Sequence, residues 1–224
     1  MIPWQRLDSA LIPGSDEKLH LYKRGGEFSI RGDGFELMNS RLHGSEEVLA
    51  RLACQRIRNR SQPRVLIGGL GMGFTLAAAL QQLNADGRVV VAELVPAVVD
   101  WNRGPLAHLA GHPLADARVT VREIDVAASL RSSTAAYDAI ILDVDNGPDG
   151  LTCSENDRLY GVSGLRTILR ALSKGGVLAV WSAAPDSTFS LRLRRAGFRV
   201  EEISASARHR RKGGRHTIWM AARG

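Results

Sequence analysis

The sequence predicts an α/β protein: a mostly parallel sheet covered by helices on both faces, preceded by a small β appendage. Three observations carry this. From Pro63 onward, short apolar runs alternate with helical patterns, the signature of βαβ units joined by right-handed crossovers. Several runs, such as IILDV and VLAVW, are apolar almost without a break, which suits strands buried on both faces. The final runs, FRVEEIS and HTIWMAAR, have only a loop between them, so the last pair is expected to be antiparallel.

Each element has its own warrant. RVLIGGL, RVVVAEL, RVTVREID, YDAIILDVD and GVLAVWSAA read as strands. FTLAAALQQL, PAVVDWNRGPLAHLA, the stretch around GVSGLRTILRALSK, and DSTFSLRLRRAG read as the intervening helices. Ahead of them, LHLYKR, EFSIR and FELM alternate in polarity and are separated by GG and GDG, good hairpin turns. GSEEVLARLACQRIRNR then reads as a helix for which Ser45 is a candidate cap, although Val48 occupies the capping-box acid position. The expected organisation is a β-hairpin region at 1–44, a linking helix at 45–62 and an α/β domain at 63–224.

Composition narrows the class. The chain has 224 residues, 44% apolar and 24% charged, enough for one well-buried domain with an appendage. Its longest apolar run, VLIGGLGMGFTLAAAL, falls short of the ~20 residues a bilayer requires, and the first 19 residues lack a signal-type apolar core. Cys54 and Cys153 have no metal-type spacing and read as reduced thiols, so a cytoplasmic protein is expected. The formal charge of +7 is local: RLRRAGFRVEEISASARHRRKGGR, residues 192–215, carries a net +7 by itself.

Against that background, ILDVDNGPDG gathers Asp143, Asp145 and Asp149 at the end of a buried strand. Carboxylates placed together are costly to desolvate unless a cation or hydrogen-bond donors meet them. The segment is either a solvated turn, since Asn, Gly, Pro and Asp are turn formers, or a site for a cationic guest.

VLIGGLGMGFT sets Gly68, Gly69, Gly71 and Gly73 between a strand and a helix, where backbone can approach a ligand and helix N–H groups are free. The third position of a dinucleotide fingerprint is Phe74 or Leu76 rather than glycine, which argues against a pyrophosphate site. Glu93 ends the next strand about 20 residues on, the offset of an acid that accepts both hydroxyls of a ribose. Asp125 follows the third strand, where an acid could accept a bond from an adenine amino group, and Asp143 follows the fourth. Singly, Glu93 reads equally as a surface acid and Asp125 as a helix cap; placed together at strand ends they describe an adenosyl-ligand site.

These residues resemble the S-adenosylmethionine-dependent methyltransferase fold, and within it the spermidine synthase (polyamine aminopropyltransferase) family, from about Phe28 onward. The resemblance implies a Rossmann-like seven-stranded sheet, mostly parallel with an antiparallel last strand. It implies ligand binding by Gly68, Gly69, Gly71, Gly73, Glu93, Asp125 and Asp143. The co-substrate it implies is S-adenosylmethionine or its decarboxylated form, with no metal. The family's Asp that holds the donor amine is Gly71 here, and the methyltransferase acid before the first glycine is Ile67. The family's Tyr-Gln pair is Ser45-Glu46, and its Asp-x-x-Asp-Pro loop is Asp143-Val144-Asp145-Asn146-Gly147-Pro148.

The expected function is aminopropylation of an amine, as in polyamine biosynthesis. The sulfonium is a good leaving group, so the protein mainly aligns the reactants and removes a proton. Asp143 and Asp145 are the candidate catalytic acids; Glu46, Asn146 and Asp149 are candidate holders of the amine substrate. The alternatives are a methyltransferase on a small molecule or RNA, and a non-catalytic protein binding an adenosyl ligand or nucleic acid. RNA would contact RHRRKGGR, the run that begins at Arg208 and ends at Arg215, although it lacks interleaved aromatics for base stacking. A small amine and a second copy of the chain complete the expected partners, with no membrane.

Overall fold

A computed structural model of the chain describes residues 2–32, 34–144, 159–206 and 215–224. Two sheets are present: a four-stranded antiparallel sheet and a seven-stranded mixed one. The small sheet contains β1 (Gln5–Leu11), β2 (Lys18–Arg24), β3 (Glu27–Arg31) and β4 (Glu36–Asn39), in that spatial order. Gly25 and Gly26 make the tight turn between β2 and β3, as paired glycines should.

Helix α1 (Gly44–Arg56) leads into the large sheet, whose strands are β5 (Arg64–Gly68), β6 (Arg88–Glu93), β7 (Val119–Glu123), β8 (Tyr137–Leu142), β9 (Leu172–Ser182), β10 (Phe198–Ser206) and β11 (Arg215–Arg223). Their order is β10-β11-β9-β8-β5-β6-β7. The pairings from β7 across to β9 are parallel, and β11 pairs antiparallel with both β9 and β10. The fold is therefore the expected Rossmann-like one. Helices α2 (Phe74–Gln82), α3 (Pro96–Arg103), α4 (Val126–Arg131), α5 (Val162–Ala171) and α6 (Ser187–Ala196) connect the strands.

Successive side chains along a strand point to opposite faces, and the central strands sort accordingly. Val65, Ile67, Ala139, Ile141, Val177 and Ala179 enter one core with α1, α2 and the small sheet. Leu66, Ile140, Leu142, Leu178 and Val180 enter the other, with α5 and α6. Burial on both faces is why these strands read as unbroken apolar runs. Each fully buried Leu or Ile side chain stabilises the fold by roughly 1.5–3 kcal/mol.

Three local expectations are corrected. Strand β1 was not anticipated, because nearly all its side chains are exposed and no alternation marks it. It is held by pairing with β2 and by Asp8, whose Oδ2 accepts the Trp101 indole N–H at 2.7 Å. The helix expected over PAVVDWNRGPLAHLA stops at Arg103 and gives way to short 3-10 turns. Pro105 lacks an N–H and disfavours helical backbone at Gly104. Ser45 does not cap α1; it lies inside the first turn and its hydroxyl is engaged elsewhere.

Candidate functional site

Chain order reverses between β5 and β8, the point at which an open parallel sheet leaves a crevice beyond its strand ends. A cavity of about 200 Å³ lies there. Its floor comes from the carboxyl ends of β5, β6, β7 and β8, with Gly69, Gly71, Glu93, Asp125 and Asp143 in the lining. Ile12, Leu19 and Ile30, with Leu37 and Met38 of β4, supply a wall from the small sheet, and Glu46 of α1 also faces in. The walls are mostly apolar, so the carboxylates are the polar features a ligand would meet.

The glycine loop is shaped by close approaches. Gly69 has φ +85°, and a Cβ there would collide with the backbone carbonyl oxygen of Asp143. The Asp143 N–H in turn donates to the Gly68 carbonyl at 3.0 Å, which ties the exit of β8 to the exit of β5. Gly71 has φ +53°, and its missing side chain is replaced by the Met38 thioether. Its carbonyl accepts a bond from Asn102 Nδ2 at 2.8 Å. Gly68 ends β5 and Gly73 precedes α2.

Glu93 is buried and oriented by backbone: the Leu70 N–H donates to Oε2 at 2.8 Å and the Val95 N–H to Oε1 at 2.9 Å. Each carboxylate oxygen has two acceptor sites, so a diol can still be received. Asp125 lines the cavity and also caps α4, accepting the Ala128 N–H at 2.8 Å. The helix-cap reading of Asp125 thus holds, and the same residue borders the cavity.

Asp143 accepts a hydrogen bond from Thr75 Oγ1 on the first turn of α2. Burial pushes its carboxyl up to about 6 despite that bond. Glu46 is raised to about 7, first by burial and then by the charge of Asp143. The two acids therefore oppose each other's ionisation in one largely apolar space. Ser45, also buried, donates its hydroxyl to Glu46 Oε2 at 2.7 Å and bonds His216 Nδ1 at 2.8 Å.

The structure thus brings Glu46, Gly69, Gly71, Glu93, Asp125 and Asp143 to one cavity. Asp145, Asn146 and Asp149 lie outside the described residues, as do Cys153 and residues 208–214 of the basic run. Sequence reading missed Thr75, Met38, Trp181 and His216, and placed Ser45 only as a candidate cap and at the position of the family's Tyr. Thr75 had a signal, a hydroxyl in the first turn after the glycines; the others reach the site only through tertiary packing. Among the described residues no cluster of His, Cys, Asp or Glu is arranged to hold a metal ion. No helix among them is long and apolar enough to cross a membrane.

Fold and site together define a Rossmann-like α/β protein with a carboxylate-lined crevice at the switch point of its sheet. No family model matches the sequence. Polyamine aminopropyltransferases of Mycobacterium tuberculosis and Mycobacterium bovis are 32% identical over 127 residues, 55% of this chain. The match spans only 23% of the length of those relatives. The spermidine synthase of Thermotoga maritima superposes with a TM-score of 0.76 at 19% identity, covering 98% of this chain and 73% of that one. A spermidine synthase in complex with the transition-state analogue AdoDATO gives 0.75 at 18% identity, with the same coverage. A probable spermidine synthase from Corynebacterium glutamicum gives 0.65 at 17% identity, covering 97% and 79%. By fold and by this partial sequence match, the chain resembles the spermidine synthase family.

Proposed function

We propose that this chain transfers an aminopropyl group from decarboxylated S-adenosylmethionine to an amine. One observation carries the reading: Glu93, Asp125 and Asp143, from the ends of three successive parallel strands, face a single cavity beside a glycine loop. Glu93 receives the ribose hydroxyls and Asp125 the adenine side. Asp143 takes the proton from the attacking ammonium, and Glu46 holds the cationic chain. A cation in the cavity relieves the mutual repulsion of Glu46 and Asp143, so burial costly in the free protein becomes a source of selectivity for amines. The name of the curated relatives and the AdoDATO complex of a structural neighbour support the same chemistry.

One observation favours a second reading, a protein that retains an adenosyl compound without turning it over. The Met38 thioether fills the space at Gly71, where the resemblance expects an acid to hold the donor amine. The test is incubation with decarboxylated S-adenosylmethionine and a panel of di- and triamines, with S-adenosylmethionine in parallel. Mass spectrometry should find methylthioadenosine and an aminopropylated amine in equal amounts. Binding of the adenosyl compound without any product would establish the second reading instead.

A further inference from the structure

Behind the cavity a hydrogen-bonded line runs from Glu46 on α1 through Ser45 to His216 on β11, residues brought together across 171 positions of sequence. The Ser45 hydroxyl carries a single proton and here has two partners. Its proton is donated to Glu46 Oε2 at 2.7 Å, so the bond with His216 at 2.8 Å requires Nδ1 to be the donor. That pattern belongs to an ionised Glu46. When Glu46 is protonated, the carboxyl can donate to Ser45, Ser45 to Nδ1, and the imidazole proton must then sit on Nε2. One hydroxyl with one proton makes the two ends interdependent.

We propose that Ser45 and His216 form a proton relay that drains Glu46 away from the cavity. The proton that Asp143 takes from the ammonium substrate passes on to Glu46, the acid coupled to it in the same cavity. It then passes from Oε2 to the Ser45 oxygen while the Ser45 proton passes to His216 Nδ1. Glu46 is left ionised, Ser45 neutral and His216 an imidazolium, which returns to neutrality by giving its Nε2 proton to water. No bond other than N–H and O–H is made or broken, and charge balances at each step.

The surroundings suit this role. Ser45 is fully buried, Glu46 nearly so and His216 half-buried, so the line leads outward. Trp181, a cavity residue, meets the His216 ring edge-on at 4.7 Å and limits its rotation. Burial holds the His216 pKa below the ordinary histidine value, which keeps the ring neutral at rest and makes its imidazolium quick to release a proton. The charged groups around Glu46 are Asp143 after β8 and Glu47 on its own helix. Glu47 is itself paired with His43 at 2.8 Å. Ser45 and His216 are positioning residues, acting only through Glu46.

The relay's use in turnover rests on the alkylation reading, whereas the coupling itself does not. The first experiment is nitrogen NMR of the His216 ring in labelled full-length protein from pH 5 to 9. The wild type should show Nδ1–H above about pH 7 and a shift towards Nε2–H as Glu46 gains its proton. Ser45→Ala and the isosteric Glu46→Gln should each remove that step and leave only the simple imidazole titration. An identical pH course in wild type and both variants would overturn the relay, whatever the protein catalyses. The second experiment is turnover with decarboxylated S-adenosylmethionine and the best amine. Ser45→Ala and His216→Gln should each lower kcat about tenfold, less than the ~10²–10⁴ of a direct general base. Imidazole in the buffer should partly restore the rate of Ser45→Ala. A raised KM with unchanged kcat would mean that Ser45 only orients Glu46, refuting the relay while leaving the alkylation reading intact.

Discussion

The sulfur of Met38 stands 2.8 Å from where a Cβ on Gly71 would lie. The small sheet therefore reaches over the glycine loop and fills the place at which the resemblance expects an acid. Introducing Gly71→Asp alone should destabilise the protein by about 1–3 kcal/mol, because Gly71 has φ +53° and Met38 must move. Pairing it with Met38→Ala should recover part of the loss by clearing the space. The double variant should also bind decarboxylated S-adenosylmethionine more tightly than the wild type. Urea unfolding and calorimetry measure both effects, and equal stability of the single and double variants would show that Met38 does not press on this position.

Glu93 anchors backbone and is proposed to receive a ribose, and its variants should test both. Its oxygens accept backbone N–H bonds from Leu70 and Val95 while facing the cavity. Glu93→Gln keeps the shape but replaces one acceptor oxygen with a donor that meets a backbone N–H. Affinity for methylthioadenosine should fall roughly tenfold to a hundredfold, the scale of a charge-assisted bond worth ~1.5–3 kcal/mol. Stability should fall as well, since a buried N–H loses its acceptor. Unaltered affinity by calorimetry would remove Glu93 from the ribose assignment.

How much of this was legible beforehand depended on range. The parallel strands were readable because Leu66, Ile67, Ile140 and Ile141 are buried on opposite faces, leaving no polar position in the run. Glu93, Asp125 and Asp143 were readable because each follows its own strand, a local relation. Met38 was not, since nothing in FELM signals that it will cover a glycine 33 positions later. Nor was the contact of Ser45 with His216, which exists only once β11 inserts between β9 and β10. Strand β1 stayed hidden for a different reason: an edge strand with exposed side chains needs no hydrophobic pattern.

Asp143→Asn should separate binding from chemistry. The asparagine keeps an acceptor for the Thr75 hydroxyl, so the link between α2 and the end of β8 survives. It removes the proposed base and one of the two carboxylates, Asp143 and Glu46, proposed to attract an ammonium. Aminopropyl transfer should fall by ~10²–10⁴, with methylthioadenosine affinity within a few-fold of wild type. Transfer that persists at the wild-type rate would assign the proton to another group.

The same two buried acids make stability depend on pH in a direction opposite to that of ordinary salt-bridged carboxylates. Asp143 is raised to about 6 and Glu46 to about 7, both above their values in an unfolded chain. Between the unfolded and folded values the native state holds more protons than the unfolded one. The slope of unfolding free energy against pH is then negative, so stability is full below about pH 4 from these groups and declines as pH rises to about 7. Above that both are ionised in either state and their contribution levels off. Glu46→Gln removes one titrating group and, with it, the repulsion on Asp143. Urea midpoints measured from pH 4.5 to 8 should therefore converge for wild type and variant at the acid end. At pH 8 the variant should be the more stable protein. Addition of a diamine should narrow that gap by supplying the ionised pair with a counter-charge. A wild type that gains stability across this range relative to Glu46→Gln would show that the pair is not the strained, cation-seeking feature described above.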